Sequence, residues 1–190
     1  MSQPVVATHI IGQTPRPDLT EPLAGRFPGV EFAVQGALDG LDRDEIPECP
    51  PRGYPLETRL HDGTRVVVDP AFLEPRLQEA IDRTDPKASV HLLLCAGPFP
   101  NLTAPTLPSV PTPLIRPFGV AVAELRKRGC GTLDVVVPFA DQASPAMDKW
   151  GANGFGCRAH VFAEKPRHRS VTEWCSGLVL SLIHISEPTR

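Results

Sequence analysis

The feature that most constrains the fold of this chain is a repeated alternation, in which apolar runs of strand length are followed by segments with helical spacing. The most strand-like run is Ser89 to Leu94, and Thr132 to Val137 is another. Continuous runs of this kind are typical of parallel strands covered by helices on both faces. Strands alternating with helices indicate crossover connections. The chain is therefore predicted to have an α/β fold with mostly parallel sheets.

Local signals place the other elements. The pair Asp62-Gly63 favours the tight turn of a hairpin, and the proline-rich segments 47–55 and 98–113 are predicted to be irregular. Strands are predicted at 5–11, 30–34, 56–60, 65–68, 89–94, 132–137 and 158–163, and helices at 18–24, from 70, from 117, at 144–150 and at 171–178.

Two helices carry specific expectations. Asp69 is predicted to cap a helix that opens with Pro70, with Leu73, Leu77 and Ile81 on one face, whereas Pro75 is expected to kink the helix or to delay its start. In the helix that opens at Pro117, we expect an inward face and a left-handed cap. The inward residues are Val120, Ala121 and Leu125, and the cap is Gly129.

Composition excludes several classes of protein. The 190 residues are 41% hydrophobic and 22% charged, which is ordinary for a globular protein with a real core. A net charge of -3 gives no basic footprint for nucleic acid. No segment has the roughly 20 apolar residues of a membrane span, and the N-terminus lacks a signal-peptide pattern. We expect a cytoplasmic protein that binds neither nucleic acid nor membrane, and oligomer formation stays open.

The five cysteines are Cys49, Cys95, Cys130, Cys157 and Cys175, and they are widely scattered without a CxxC pair. A structural zinc site needs clustered ligands, and a disulfide framework needs an oxidising compartment. Free thiols and no metal are therefore expected.

Cys95 is the candidate reactive residue. It ends the most strand-like run and precedes Ala96-Gly97, so its thiol is predicted to emerge where a buried strand opens into a loop. In open α/β sheets, ligands bind beyond the carboxyl ends of the strands. The alternative is that this cysteine only fills space in the core, as free cysteines often do.

The last residues differ in character from the rest. The segment 180–190, LSLIHISEPTR, matches residue for residue the translation of a transposon adapter used in sequencing libraries. We expect it to be a non-native tail and exclude it from fold reasoning. The natural chain would then stop near Val179, and we expect the fragment to be inactive by itself.

Five segments taken in order resemble the AroM family, which is related to the aspartate/glutamate racemase superfamily. They are Ile11-Gly12-Gln13-Thr14-Pro15-Arg16-Pro17-Asp18, Leu38-Asp39-Gly40-Leu41, Tyr54-Pro55-Leu56-Glu57-Thr58-Arg59-Leu60, Leu93-Leu94-Cys95-Ala96-Gly97 and Val137-Pro138-Phe139-Ala140-Asp141-Gln142. The resemblance implies two pseudo-symmetric α/β lobes with a ligand cleft between them. The first lobe would be 1–113 and the second, incomplete, 114–179.

The resemblance also implies a chemistry. In the superfamily, two cysteines on opposite walls of the cleft move a proton on and off the carbon next to a carboxylate. Cys95 matches the first position, and no second match is present before Val179. The implied activity is that of a cofactor-free racemase or isomerase acting on a small carboxylic acid. A one-cysteine decarboxylase and a non-catalytic carboxylate-binding protein remain alternatives.

Carboxylate chemistry needs a base of tuned pKa and donors for the developing enolate oxygens. Cys95 is the candidate base, with the backbone N–H groups of Ala96 and Gly97 beside it. The loop after the first strand carries amide, hydroxyl and guanidinium donors suited to a carboxylate. The candidate substrate-binding residues are Gln13, Thr14, Arg16, Ala96, Gly97 and Gln142.

Overall fold

The computed structural model describes residues 3–84, 87–105 and 112–161, which fall into two compact units, 1–131 and 132–190. The fold is α/β with parallel sheets, as predicted. The first unit contains β1 (Val5–Ile10), α1 (Pro17–Arg26), β2 (Glu31–Gly36), β3 (Leu56–Arg59), β4 (Arg65–Val68), α2 (Pro70–Asp82), β5 (Ala88–Leu93), β6 (Leu114–Ile115) and α3 (Pro117–Lys127). The second contains β7 (Thr132–Val137), α4 (Ala143–Gly151) and β8 (Gly156–Val161).

The main sheet of the first unit has the strand order β2-β1-β5-β6, and its strands are parallel. From β1 the chain moves to one side, to β2, and later returns on the other side of β1, to β5. The point between β1 and β5 is therefore a topological switch point. At such a point the loops leaving two neighbouring strands diverge and open a crevice at the carboxyl edge of the sheet.

The predicted hairpin is confirmed. β3 and β4 are antiparallel, and Arg59 pairs with Arg65. Gly63 takes a φ of 86° in the turn, a backbone conformation that glycine adopts at little cost. The carboxylate of Asp62 accepts the backbone N–H of Thr64 at 2.8 Å. This turn chemistry is what the Asp-Gly pair predicts.

Helix α2 begins at Pro70, and Asp69 caps it by accepting the backbone N–H of Ala71 at 2.8 Å. The alternative of a later start is therefore wrong, because Pro75 lies within one continuous helix. Its predicted inner face, Leu73, Leu77 and Ile81, is fully buried.

The hydrophobic core of the first unit lies between α2, the β3-β4 hairpin and the loops at the carboxyl edge of the sheet. It comprises Ile11, Ala37, Leu38, Ile46, Leu56, Leu60, Val66, Val68, Leu73, Leu77, Ile81, Leu93, Phe99 and Leu102. Because hairpin and loop residues share this core, the hairpin supports the edge at which the loops leave the sheet.

Helix α3 corrects one prediction. Val120 is 56% exposed, and Val122 is the buried residue instead. The buried face of the helix is therefore rotated from the predicted one. Val120 and Val122 are both apolar, so the sequence pattern does not distinguish them, and tertiary packing decides which one is buried. Gly129, with a φ of 71°, ends this segment as predicted.

In the second unit, β7 and β8 are parallel, with Thr132 opposite Gly156 and Val137 opposite Val161. Strand β8 begins two residues earlier than predicted. The predicted helix at 171–178, Cys175 and the adapter-like segment 180–190 lie outside the described residues. Residues 114 and 115, where the second lobe was predicted to start, form β6 at the edge of the first sheet, next to β5.

Candidate functional site

The loop after β1 runs close against the hairpin. A Cβ atom at Gly12 would lie 2.4 Å from Thr58 Oγ1 and 2.5 Å from the Arg59 carbonyl oxygen. Only glycine fits this approach without displacing backbone. The next backbone N–H, that of Gln13, donates to the same Arg59 carbonyl at 3.1 Å. The hairpin therefore fixes the position of this loop where it leaves the sheet.

Gln13 is buried and joins three loops. Its amide Nε2 donates to the carbonyl oxygens of Leu38 at 3.0 Å and Leu41 at 2.7 Å. Its Oε1 accepts the backbone N–H of His61 at 2.9 Å and lies 2.8 Å from His61 Nδ1. Both amide N–H groups are used within the protein, so in this conformation Gln13 shapes the site and its oxygen orients His61.

Thr14 is bound to Asp39 at the end of β2. Its backbone N–H donates to Asp39 Oδ1 at 2.7 Å, and its hydroxyl lies 3.1 Å from both carboxylate oxygens. Asp39 Oδ2 also accepts the backbone N–H of Gly36 at 2.7 Å. One carboxylate thus clamps the loops that follow two neighbouring strands.

These loops enclose a surface pocket of about 420 Å³. Its lining residues are Gln13, Thr14, Asp39, Gly40, Leu41, Asp42 and His61. The lining holds two carboxylates and one imidazole, and neither lysine nor arginine belongs to it. The pocket is therefore suited to hydrogen-bond donors or to a cationic group of a ligand.

Cys95 follows β5 on the other side of the switch point, and its thiol is half-buried. The backbone N–H of Gly97 donates to Cys95 Sγ at 3.3 Å. A Cβ atom at Gly97 would lie 2.9 Å from the Phe99 ring and 3.0 Å from Leu56 Cδ1. The thiol also packs against the hydrophobic core and does not line the pocket beside Gln13.

Tyr54, which precedes β3, is half-buried against the same core as Cys95. Burial raises the pKa of its phenol, and negative charge on Cys95 raises it further. The electrostatic effect indicates that the only tyrosine of the chain is a neighbour of the candidate thiol.

Two predicted ligand contacts have different surroundings. Arg16 forms two hydrogen bonds with Asp18, at 2.8 and 2.7 Å, and these bonds hold the pKa of the guanidinium above its ordinary value. Its charge is thus balanced within its own loop. Gln142 lies in the second unit, buried in a 3-10 turn at Ala140–Gln142.

Two features were missed from the sequence. Arg116, directly after β6, donates from Nη1 to the Phe99 carbonyl oxygen at 3.1 Å and from Nη2 to that of Leu102. The only signal was an arginine between a strand and the helix-opening Pro117. His9 and His91 are both buried and face each other across β1 and β5. Their pairing depends on strand register, which one sequence does not display.

Metal and membrane binding can be examined for residues 3–84, 87–105 and 112–161 alone. In that part of the chain, no three His, Cys, Asp or Glu side chains gather as metal ligands would. None of the helices there combines the length and the apolar character that crossing a bilayer requires.

The fold and these loops define an α/β protein with a parallel sheet whose switch point carries a cysteine. Comparison with protein families matches the family described as AroM protein over residues 6–173. The chain belongs to the AroM family. No curated protein and no solved structure matches it.

Proposed function

We propose that this protein binds a small carboxylic acid at the carboxyl ends of β1 and β5, and that Cys95 acts on the bound acid without a cofactor. The observation that carries the proposal is the position of the Cys95 thiol at the switch point, with the Gly97 N–H 3.3 Å from its sulfur. A backbone donor of this kind stabilises a thiolate more than a thiol. The relation of the AroM family to the aspartate/glutamate racemase superfamily supports the same reading.

Charge decides how the ligand would lie. The pocket carries Asp39 and Asp42 and would repel a carboxylate. The ligand carboxylate is therefore placed on the side of Ala96 and Gly97, beside the Cys95 sulfur and away from both aspartates. The other end of the ligand, with hydroxyl or amino groups, would enter the pocket between Thr14 and His61.

Two of the remaining candidate residues take supporting roles in this proposal. Gln13 orients His61 and holds the pocket wall, because its own amide is saturated. Arg16 is proposed as a contact for a second carboxylate, as in a dicarboxylic acid, which would replace Asp18. Gln142, in the second unit, stays a prediction from the sequence and has no role in this proposal.

The proposed reaction is racemisation or isomerisation. The Cys95 thiolate takes the proton from the carbon next to the carboxylate, and the electron pair moves into an enolate whose oxygens accept backbone N–H bonds. In an isomerisation the Cys95 thiol returns its proton to another carbon of the substrate, whereas a racemisation needs a second acid to deliver a proton to the opposite face. In a one-cysteine decarboxylase, carbon dioxide leaves first, and the thiol then protonates the resulting carbanion.

A second candidate function is non-catalytic binding of a small acid. The observation that favours it is the packing of Cys95 against the hydrophobic core. A thiol that serves only as packing is less accessible and reacts slowly.

Site-resolved alkylation separates the two functions. Iodoacetamide labelling is followed at each cysteine by mass spectrometry, across pH and with a panel of 2-hydroxy, 2-amino and dicarboxylic acids. Cys130 and Cys157 are internal controls because they are also half-buried. We expect Cys95 to react at lower pH than the controls and to be protected by at least one acid. Slow labelling of Cys95 that no acid alters would contradict the catalytic proposal.

A further inference from the structure

Arg116 is a half-buried cation whose guanidinium donates hydrogen bonds to a single loop. The Phe99 and Leu102 carbonyl oxygens that it binds belong to residues that are 4% and 3% exposed. Buried carbonyl groups need a donor, because leaving one unpaired is costly. The forked guanidinium can reach two carbonyls at once, which the single ammonium of a lysine matches poorly.

The loop held in this way leads directly to the thiol. The Phe99 ring is the nearest neighbour of the position that a Cβ atom would take at Gly97. Gly97 in turn donates its backbone N–H to Cys95 Sγ. The residue whose carbonyl Arg116 binds, Phe99, therefore has its ring beside Gly97, the donor to the sulfur.

The strands fix both ends of this path. Strand β6 lies next to β5, with Ile115 opposite Leu92. Arg116 thus leaves the sheet at the same edge as Cys95 and on the neighbouring strand. The residue bridges the short edge strand and the loop after β5, so it restrains that loop.

We propose that Arg116 is a positioning residue for Cys95, which holds the loop 96–102 so that the Gly97 N–H stays directed at the sulfur. The assignment rests on the proposed function for its biological meaning, although its geometry concerns the thiol alone. Arg116 acts through the loop and is not assigned a contact with the substrate.

The test compares Arg116→Gln and Arg116→Lys with the wild-type chain, and uses Arg128→Gln as the matched control. Arg128 is an exposed arginine at the end of α3 that pairs with Glu124. The readout is the pH profile of Cys95 alkylation. Arg116→Gln is expected to move its midpoint upward by about half a pH unit or more, because the thiolate loses its donor. Arg116→Lys is expected to recover part of the shift, and Arg128→Gln to leave the profile unchanged.

Labelling of Cys49 and Cys130 in the same samples reports on the fold, since global unfolding would accelerate every cysteine. If Arg116→Gln unfolds, Arg116→Met is measured in its place, and a wild-type profile in that folded variant overturns the assignment. An unchanged profile in a folded Arg116→Gln overturns it as well. If the midpoint moves but no acid protects Cys95 in the wild-type chain, the proposed function fails while the role of Arg116 stands.

Discussion

The imidazole Nε2 of His9 lies 2.9 Å from Nδ1 of His91, and the planes of the two rings are nearly parallel, with centroids 5.2 Å apart. Both residues are almost completely buried. Burial, together with the facing ring, lowers the pKa of His9 to about 4. Burial also lowers the pKa of His91, against a smaller opposite effect of Asp82 at the end of α2. At neutral pH the pair is therefore uncharged, and one ring donates its N–H to the other.

Because the His9–His91 pair is buried in its neutral form, the folded state is expected to lose stability in acid. A histidine with a depressed pKa in the folded state contributes stability that is complete above about pH 6.5 and is lost as the pH falls toward 4. For His9 the difference between 6.5 and about 4 corresponds to about 3 kcal/mol. Urea unfolding at pH 7, 5.5 and 4.5 measures this, with the double variant His9→Leu/His91→Leu as control. Equal pH dependence in both proteins between pH 6.5 and 4.5 would show that the pair does not titrate as described.

The Asp39 clamp predicts a stability cost. Asp39→Ala removes the acceptor of the Thr14 and Gly36 backbone N–H groups, so the free energy of unfolding should fall by about 1–3 kcal/mol. Asp44→Ala, at an exposed position nearby, is the control and should change stability by less than about 0.5 kcal/mol. Chemical denaturation measures both. Equal losses in the two variants would argue against the clamp.

Alanine substitutions at two glycines are expected to change the stability of the protein in opposite directions. Gly12→Ala would force a Cβ atom to 2.5 Å from the Arg59 carbonyl oxygen and should destabilise the protein by about 1–3 kcal/mol. Gly25→Ala, inside α1 with open space around it, should stabilise it by about 0.5–1 kcal/mol. Thermal unfolding distinguishes the signs. A neutral Gly12→Ala would mean that the hairpin yields easily at this contact.

The titration of Tyr54 is expected to depend on the nearby Cys95 thiol. Because negative charge on Cys95 contributes to the raised pKa of Tyr54, Cys95→Ala should lower that pKa. The chain has one tyrosine, so its ultraviolet titration is free of overlap with other phenols. Cys130→Ala is the matched control and should leave the titration unchanged. An identical titration in all three proteins would separate Tyr54 from Cys95.

Much of the fold follows from local sequence signals. The Asp62-Gly63 turn and the Asp69 cap depend on neighbours in the chain, and both are confirmed. The prediction that Val120 lies on the inner face of α3 was wrong. Either of two apolar residues could have faced inward, and tertiary packing determines that Val122 is the buried one. Proline inside α2 was tolerated because the helix is held by its buried face.

The site was less predictable. The position of Cys95 after a strand could be read from the sequence, since a strand followed by small residues is a local pattern. The bonds of Arg116 to a loop and the pairing of His9 with His91 depend on which strands are neighbours and in what register. The saturation of the Gln13 amide likewise depends on loops distant in sequence.

Removal of a proton from the carbon beside a ligand carboxylate by the Cys95 thiolate is the step on which the proposed function depends. This step needs only one base, so it is measured directly as exchange of that proton for deuterium in D2O, followed by proton NMR on acids that protect Cys95. The chain is expected to be inactive in the complete reaction, which needs a second proton donor, but the exchange needs Cys95 alone. We therefore expect the wild-type chain and Cys130→Ala to catalyse the exchange and Cys95→Ala to lose it. Exchange that persists in Cys95→Ala at the wild-type rate, or no exchange in a protein that binds the acid tightly, would contradict the claim.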